Sequence, residues 1–152
     1  MVEVGSYAGE SMELFTSTGS VKTILCIDPW KAGWDTNDPA SGTDLEEAEA
    51  AFDKRAAAVL CAEVVKHKGT LEDFTLPEGA EVDLVYIDSC HTYLACKNDI
   101  ELALSKLQPK IAIAGHDFAP NWPGVVKAVN ETFGKPDKVY ADSSWMTLTR
   151  NA

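Results

Sequence analysis

The sequence predicts an α/β fold, in which helices cover both faces of an open, mostly parallel sheet as a three-layer αβα sandwich. Two observations support this fold class. Short apolar runs with β-branched residues alternate with segments of helical periodicity along nearly the whole chain. The last two apolar runs lie close together, which is typical of a hairpin that adds an antiparallel strand to a parallel sheet. We therefore expect a Rossmann-like sheet with an antiparallel C-terminal strand.

The predicted strands are apolar segments rich in valine and isoleucine. The strongest of them is apolar except for Asp83 and ends at Asp88. In chain order the predicted strands are residues 2–5, 21–27, 63–67, 82–87, 111–114, 138–141 and 145–149.

The predicted helices show apolar residues at helical spacing together with start or stop signals. Thr43 or Asp44 can cap the second helix, and Glu46 or Glu47 completes a capping box. Pro109 stops the third helix. The predicted helices are residues 10–16, 44–61, 94–107 and 123–133, and residues 31–42 form a polar loop.

Length and charge limit the classes of function. A chain of 152 residues predicts one domain, residues 1–152, without the helices that usually precede the first strand of such folds.

The net charge of −11 disfavours nucleic acid as a partner. The first residues do not show the basic flank and apolar core of a signal peptide, and no apolar stretch reaches the ~20 residues that span a bilayer, so we expect no membrane partner and a cytoplasmic location. The four cysteines lack a C-x-x-C pair and are expected to be reduced. An uncovered pocket would suit a homodimer.

The most informative motif is Glu3-x-Gly5-x-x-x-Gly9, which follows the first strand, together with Asp28, which closes the second. Glycines after a strand let backbone amides approach a ligand, and a carboxylate at the end of the next strand can bind ribose hydroxyls. The spacing differs from the G-x-G-x-x-G of dinucleotide enzymes and fits S-adenosylmethionine better than NAD. The alternative is a tight strand-to-helix turn with no ligand.

Further polar residues follow the fourth and fifth strands. Asp88, His116 and Asp117 could hold one divalent cation, with Mg²⁺ as the first choice, and His91 could accept a proton from a bound hydroxyl. Taken singly, each of these residues could equally be a helix cap or a turn residue. Because the carboxyl ends of parallel strands share one edge of the sheet, we expect them to face one cleft with Asp28.

Three tryptophans lie in loops near this cleft. Trp30, Trp34 and Trp122 could form walls for the cofactor or the substrate, or could simply pack against the protein.

Four segments together resemble a known family. They are E-V-G-S-Y-A-G at 3–9, I-D-P-W at 27–30, D-L-V-Y-I-D-S-C-H-T-Y at 83–93 and A-G-H-D-F at 114–118. The chain resembles class I S-adenosylmethionine-dependent methyltransferases. Within them it is similar to the small-molecule O-methyltransferases that include macrolide-sugar methyltransferases and a cephalosporin-pathway relative.

The resemblance implies a role for each matching residue. The ribose would bind Asp28, and the metal ligands would be Asp88, His116 and Asp117, with His91 as the base. His116 stands where such relatives often have an acid, and this departure implies either a preference for Mn²⁺ over Mg²⁺ or a site that binds no metal. The residues implied to line the cofactor pocket are Glu3, Gly5, Ser6, Tyr7, Gly9, Trp30, Thr70 and Leu71.

The leading hypothesis is therefore a methyltransferase that acts on a hydroxyl of a sugar or polyol-bearing small molecule with the help of a divalent cation. A catalytically idle cofactor-binding module of the same fold is one alternative. A nicotinamide-dependent oxidoreductase is another, disfavoured by the glycine spacing.

Overall fold

The computed structural model of the chain describes residues 1–149, so residues 150–152 of the predicted domain lie outside the described part. Seven strands form one sheet. They are β1 Val2–Val4, β2 Thr23–Asp28, β3 Glu63–Lys68, β4 Leu84–Ile87, β5 Ala112–Gly115, β6 Lys138–Val139 and β7 Trp145–Leu148. The α-helices are α1 Glu10–Ser17, α2 Leu45–Ala58, α3 Tyr93–Leu102 and α4 Pro123–Phe133.

The strand order is β3-β2-β1-β4-β5-β7-β6. The first five strands are parallel, whereas β7 is antiparallel to both β5 and β6. The predicted fold class, including the antiparallel C-terminal addition, is confirmed. The order reverses between β1 and β4, and such a reversal opens a crevice at the carboxyl ends of the strands.

The two faces of the sheet carry separate apolar clusters. Strand β2 shows the separation, because Leu25 and Ile27 pack in one cluster while Ile24 and Cys26 pack in the other. The first cluster contains residues of α3 and α4, and the second contains residues of α1 and α2. In β1 the same alternation directs Val2 and Val4 into the first cluster.

Several helix ends differ from the sequence prediction. Helix α2 ends at Ala58 rather than at residue 61, because Val59 adopts an extended backbone. Helix α3 continues from Leu102 into a π-helical turn, Ala103–Leu107, that ends at Gln108 with a φ of +47°. The predicted loop contains a short 3₁₀ helix, Pro39–Gly42. The predicted cap of α2 is present, since the Asp44 carboxylate accepts from the amides of Glu46 and Glu47. Among the described helices, none combines the length and the apolar character needed to cross a bilayer.

Gly5, which follows β1, makes a close backbone contact with the end of β4 at Asp88 and Ser89. Its φ is +87°, and a Cβ at this position would overlap the carbonyl oxygen of Asp88 and lie 2.8 Å from the Cα of Ser89. Gly19 has a similar φ of +72°, but a Cβ there would meet no atom within 4 Å. The two glycines therefore share a backbone strain and differ in the space around them.

We expect Gly5→Ala to destabilise the fold more than Gly19→Ala. The left-handed backbone should cost each variant roughly 1–2 kcal/mol, and the overlap at Gly5 should add about 1–3 kcal/mol or prevent folding. Urea unfolding of both variants measures the difference. Equal losses at the two positions would show that the contact between Gly5 and Asp88 is unimportant.

Candidate active site

A cavity of about 600 Å³ opens at the carboxyl ends of the parallel strands. It lies where the strand order reverses, as the topology requires. It is bordered by the bend after β1, the loop after β2, the segment after β3 and the N-terminal half of α3. The candidate residues that line it are Gly5, Ser6, Tyr7, Asp28, Thr70, Leu71, Asp88, His91, His116 and Asp117.

Asp28 faces the bend and holds its backbone. One carboxylate oxygen, Oδ2, accepts from the amide of Ser6 at 3.0 Å and from that of Tyr7 at 2.9 Å. The other oxygen accepts from the amide of Trp30 at 2.6 Å. The carboxylate thus fixes the shape of the bend and remains part of the cavity wall.

Three candidate cofactor residues lie behind the bend rather than among the lining residues of the cavity. Glu3 is fully buried, because its position in β1 directs it away from the face of Val2 and Val4. Burial raises the pKa of its carboxyl group, which accepts from the hydroxyl of Ser6 at 2.7 Å.

Gly9 and Trp30 also support the bend. Gly9 precedes α1 in a left-handed conformation, and its Cα faces the side chains of Phe52 and Met12. Trp30 packs on Phe52 with a distance of 5.1 Å between ring centroids, and its indole N–H donates to the carbonyl of Tyr7 at 2.7 Å.

The predicted metal ligands are brought together. One ligand atom from each of Asp88, His116 and Asp117 lies within 4.8 Å of the others. The ring nitrogen Nδ1 of His116 is 3.2 Å from the Asp117 carboxylate. Withdrawal from water raises the pKa of Asp88 to about 6, with the neighbouring Asp117 charge acting in the same direction. Two carboxylates and an imidazole at this separation can converge on one cation.

His91 is held between carboxylates on both sides of its ring. Its Nε2 atom is 2.7 Å from Asp117 Oδ2, and its Nδ1 atom is 3.3 Å from Asp35 and 3.5 Å from Asp38. Burial favours the neutral ring, but these carboxylates outweigh it and raise the pKa of His91.

The orientation of His91 is fixed by two further contacts. The ring stacks on Trp122 with 4.1 Å between centroids. The backbone amide of His91 donates to Asp35 Oδ2 at 2.8 Å. The loop after β2 therefore reaches across the cavity to the end of β4.

Several polar residues of the cavity received no role from the sequence, among them Asp35, Asp38, Ser89 and Asp99. Asp35 and Asp38 lie in an irregular loop, whose sequence carries no periodic signal that would place them near His91. Ser89 and Asp99 form a hydrogen bond between the end of β4 and α3. The spacing of Ala95, Asn98 and Asp99 could have placed Asp99 on the cavity face of α3, because residues three and four apart share one face of a helix.

Two of the three loop tryptophans lie in the lining of the cavity. Trp34 and Trp122 line the cavity, and Trp34 is 49% exposed at its rim. Trp30 is buried behind the bend, as described above.

Comparison with known families gives one match that covers most of the chain. A family model described as a methyltransferase domain matches residues 2–118. Comparison with curated proteins gives no significant match.

Solved structures of natural-product methyltransferases share the fold. The calicheamicin methyltransferase CalS11 is 15% identical, with a TM-score of 0.67 over 99% of this chain and 72% of CalS11. The O-methyltransferase TomG from Streptomyces achromogenes, involved in tomaymycin synthesis and solved with SAM, is 14% identical, with a TM-score of 0.60 over 98% of this chain and 72% of TomG. The O-methyltransferase NovP is 14% identical, with a TM-score of 0.57 over 99% of this chain and 72% of NovP.

Asp99 provides a test of the electrostatics of the cavity. Burial raises its pKa from 3.8 to about 6, although the hydrogen bond from Ser89 opposes the shift. A raised pKa in the folded state means that the native protein binds the proton more tightly, so stability is lost as the pH rises from about 4 to about 6.

We expect Asp99→Asn to remove this part of the pH dependence. The variant should match the wild type near pH 3.5 and exceed its free energy of unfolding by up to ~2–3 kcal/mol near pH 7. Urea unfolding at a series of pH values measures the difference. Glu3 and Asp88 titrate in both proteins, so their contributions cancel. Parallel curves would contradict the assignment.

Proposed function

Because the chain belongs to a family of methyltransferase domains, we propose that it uses S-adenosylmethionine to methylate a hydroxyl group of a sugar or similar polyol-bearing small molecule, with the help of a divalent cation. One observation carries the proposal. The bend held by Asp28 and the cluster of Asp88, His116 and Asp117 line the same cavity. A methyl donor and a cation-bound hydroxyl could therefore meet inside it.

Asp28 and the bend would hold the adenosyl part of the methyl donor. A carboxylate offers about four acceptor positions, and three of those on Asp28 are used by backbone amides. The remaining position can accept from one ribose hydroxyl. Gly5 and Ser6 border the same wall, where their backbone could contact the methionine part.

The chemistry of the donor set fits a divalent cation. Asp88 is half-buried and forms no ion pair with a lysine or arginine among residues 1–149. Its raised pKa reflects the cost of burying the charged carboxylate. Oxygen ligands from Asp88 and Asp117 suit Mg²⁺ or Mn²⁺, while the imidazole of His116 favours Mn²⁺. Once bound, a divalent cation would supply Lewis acidity that lowers the pKa of a substrate hydroxyl.

His91 is the residue placed to handle the proton. Its Nε2 atom faces Asp117 in the cluster, and the stacked Trp122 keeps the ring at this position. In its neutral form His91 could accept the proton that the acceptor hydroxyl loses, and the carboxylates around the ring would stabilise the imidazolium that forms. The acceptor oxygen would then form a bond to the methyl carbon as the carbon–sulfur bond breaks, with S-adenosylhomocysteine as the leaving group.

The acceptor would bind at the tryptophan side of the cavity. Trp34 and Trp122 present apolar surface near the cluster, and sugar rings pack their C–H faces on such surfaces. The related fold of CalS11, a TDP-rhamnose 3'-O-methyltransferase, supports a sugar-like acceptor. We also propose a cytoplasmic location, which the four free cysteines support.

Calorimetry tests cofactor binding. The wild type should bind S-adenosylmethionine and S-adenosylhomocysteine but not NAD, and Asp28→Asn should weaken both affinities by ~1–2 kcal/mol through loss of a charge-assisted hydrogen bond. Asp142→Asn, a change in an exposed turn, is the matched control. NAD binding instead would favour the oxidoreductase. Binding without any methyl transfer to a panel of glycosides would favour the idle module.

The cation site can be tested without turnover. We expect the wild type to bind one Mn²⁺ per chain in an electron paramagnetic resonance titration, and Asp117→Asn to lose this binding because one of two carboxylate ligands is removed. Asp142→Asn should bind as the wild type does. Methyl transfer, once an acceptor is found, should stop in EDTA and recover with Mn²⁺. An unchanged Mn²⁺ titration in Asp117→Asn would exclude this ligand set.

A further inference from the structure

The loop between β2 and α2 is held in place by polar rather than apolar contacts. Residues 31–44 of this loop, here named the strap, include the short helix Pro39–Gly42 and contribute five residues to the lining of the cavity. Within the strap Asp35 is the one buried residue, whereas Trp34 is 49% exposed. Loops of this length are uncommon in compact domains and often act as active-site lids. The strap therefore covers part of the cavity without an apolar anchor of its own.

The Asp35 carboxylate attaches the strap to the opposite side of the cavity. Its Oδ2 atom accepts from the backbone amide of His91 at 2.8 Å, and its Oδ1 atom accepts from the amide of Asn37 at 2.9 Å. Beside it, the thiol of Cys90 donates to the carbonyl of Trp34 at 3.4 Å. The strap thus leaves the sheet after β2 and binds to the residues that follow β4.

The position to which Asp35 binds is fixed by other parts of the fold. A Cβ on Gly124 would lie 2.5 Å from the carbonyl oxygen of His91, so the first turn of α4 packs closely on the backbone there. The His91 ring also stacks on Trp122. In the closed strap, Asp35 Oδ2 lies 3.3 Å from the ring nitrogen Nδ1 of His91. One carboxylate therefore holds both the strap and the surroundings of His91.

A polar attachment of this kind can open at low cost. When the strap lifts, the Asp35 carboxylate and the His91 amide exchange their mutual hydrogen bond for bonds to water, so the net loss of free energy is small. Segments with few buried apolar contacts are the ones that open locally in native proteins. The contacts of the strap therefore permit opening without unfolding of the sheet.

We propose that the strap is a lid over the cavity and that Asp35 is its latch. This inference rests on the proposed function, because the lid would open to admit S-adenosylmethionine and to release S-adenosylhomocysteine. The hydroxyl of Thr43 lies 3.1 Å from that of Tyr7, so the strap also contacts the bend assigned to the methyl donor. Closing the lid encloses the cavity and places a carboxylate beside His91 in the same step.

A disulfide in place of the latch tests the lid. The thiol of Cys90 lies 3.8 Å from Asp35 Oδ2, so the substitution Asp35→Cys should allow a disulfide with Cys90 under oxidation. All test proteins carry Cys61→Ser, which removes an exposed thiol. The same protein can then be compared with the strap fixed by the disulfide and with the strap released by a reducing agent.

The release rate of S-adenosylhomocysteine, followed by stopped-flow tryptophan fluorescence, is the measurement. The oxidised protein should release the ligand roughly 10-fold more slowly than the reduced protein, and the reduced protein should release it faster than the parent with Asp35. The matched control is Asp44→Asn, at the end of the strap, where asparagine can keep the cap of α2. Its release rate should equal that of the parent, with or without reducing agent.

Hydrogen exchange provides a second measurement that needs neither ligand nor disulfide. Asp35→Ala should raise the exchange rates of the strap amides and of the His91 amide by roughly 10-fold or more, while β1 and β4 keep their wild-type protection. A purely structural role of Asp35 would raise exchange in the strands as well, because the whole fold would then be destabilised.

The outcomes distinguish the two proposals. Equal release rates in the oxidised and reduced proteins, or failure of the disulfide to form, overturn the lid while leaving cofactor binding intact. Unchanged exchange of the His91 amide in Asp35→Ala overturns the latch. A wild type that does not bind S-adenosylhomocysteine overturns the proposed function itself, and hydrogen exchange still tests the latch in that case.

Discussion

The Asp28 carboxylate is the contact on which the rest of the site depends. It binds the amides of the bend after β1 from the end of β2, while Gly5 presses against the backbone of Asp88 at the end of β4. Three strand ends are thus locked together where the strand order reverses. Each of these contacts includes backbone atoms, so they restrict the shape of the cavity. They also restrict the positions of the side chains around it.

The charges that line this cavity give it a preference for positively charged ligands, which its shape alone does not provide. Eight acidic side chains line it, against Lys31 as the one lysine or arginine contributed by residues 1–149. A cleft lined by one sign of charge concentrates ligands of the opposite sign. A sulfonium compound and a divalent cation both carry positive charge, so the same field would favour both of the proposed ligands. A ligand with several phosphates would be repelled unless the cation neutralised them.

The sequence predicted the fold and the strand-end residues, because both follow from local patterns. Apolar runs that alternate with helical segments determine the strands. Parallel strands then bring Asp28, Asp88 and Asp117 to the carboxyl-terminal edge of the sheet, whatever the path of the loops between them. The contact between Asp35 and His91 could not be predicted, since it joins an irregular loop to a strand end 56 residues away. Side chains alternate between the two faces of β1, and this alternation buries Glu3 behind the bend. The motif alone does not show the alternation, so it could not distinguish a residue that lines the cavity from one that lies behind it.

Four acids of the cavity fall into two groups according to the direction in which their pKa values are shifted. Asp117 and Asp35 face His91, and although burial acts against them, their contacts with its ring and backbone lower their pKa values. At Asp88 and Asp99 burial outweighs the neighbouring histidines and the hydroxyl of Ser89, and it raises their pKa values to about 6. The first group is already satisfied by the protein. The second group is destabilising when it is ionised, and a carboxylate held in this state gains most from a ligand that brings a positive charge or a donor. Asp88, one of these two acids, is also a ligand of the proposed cation site, where this gain would be realised.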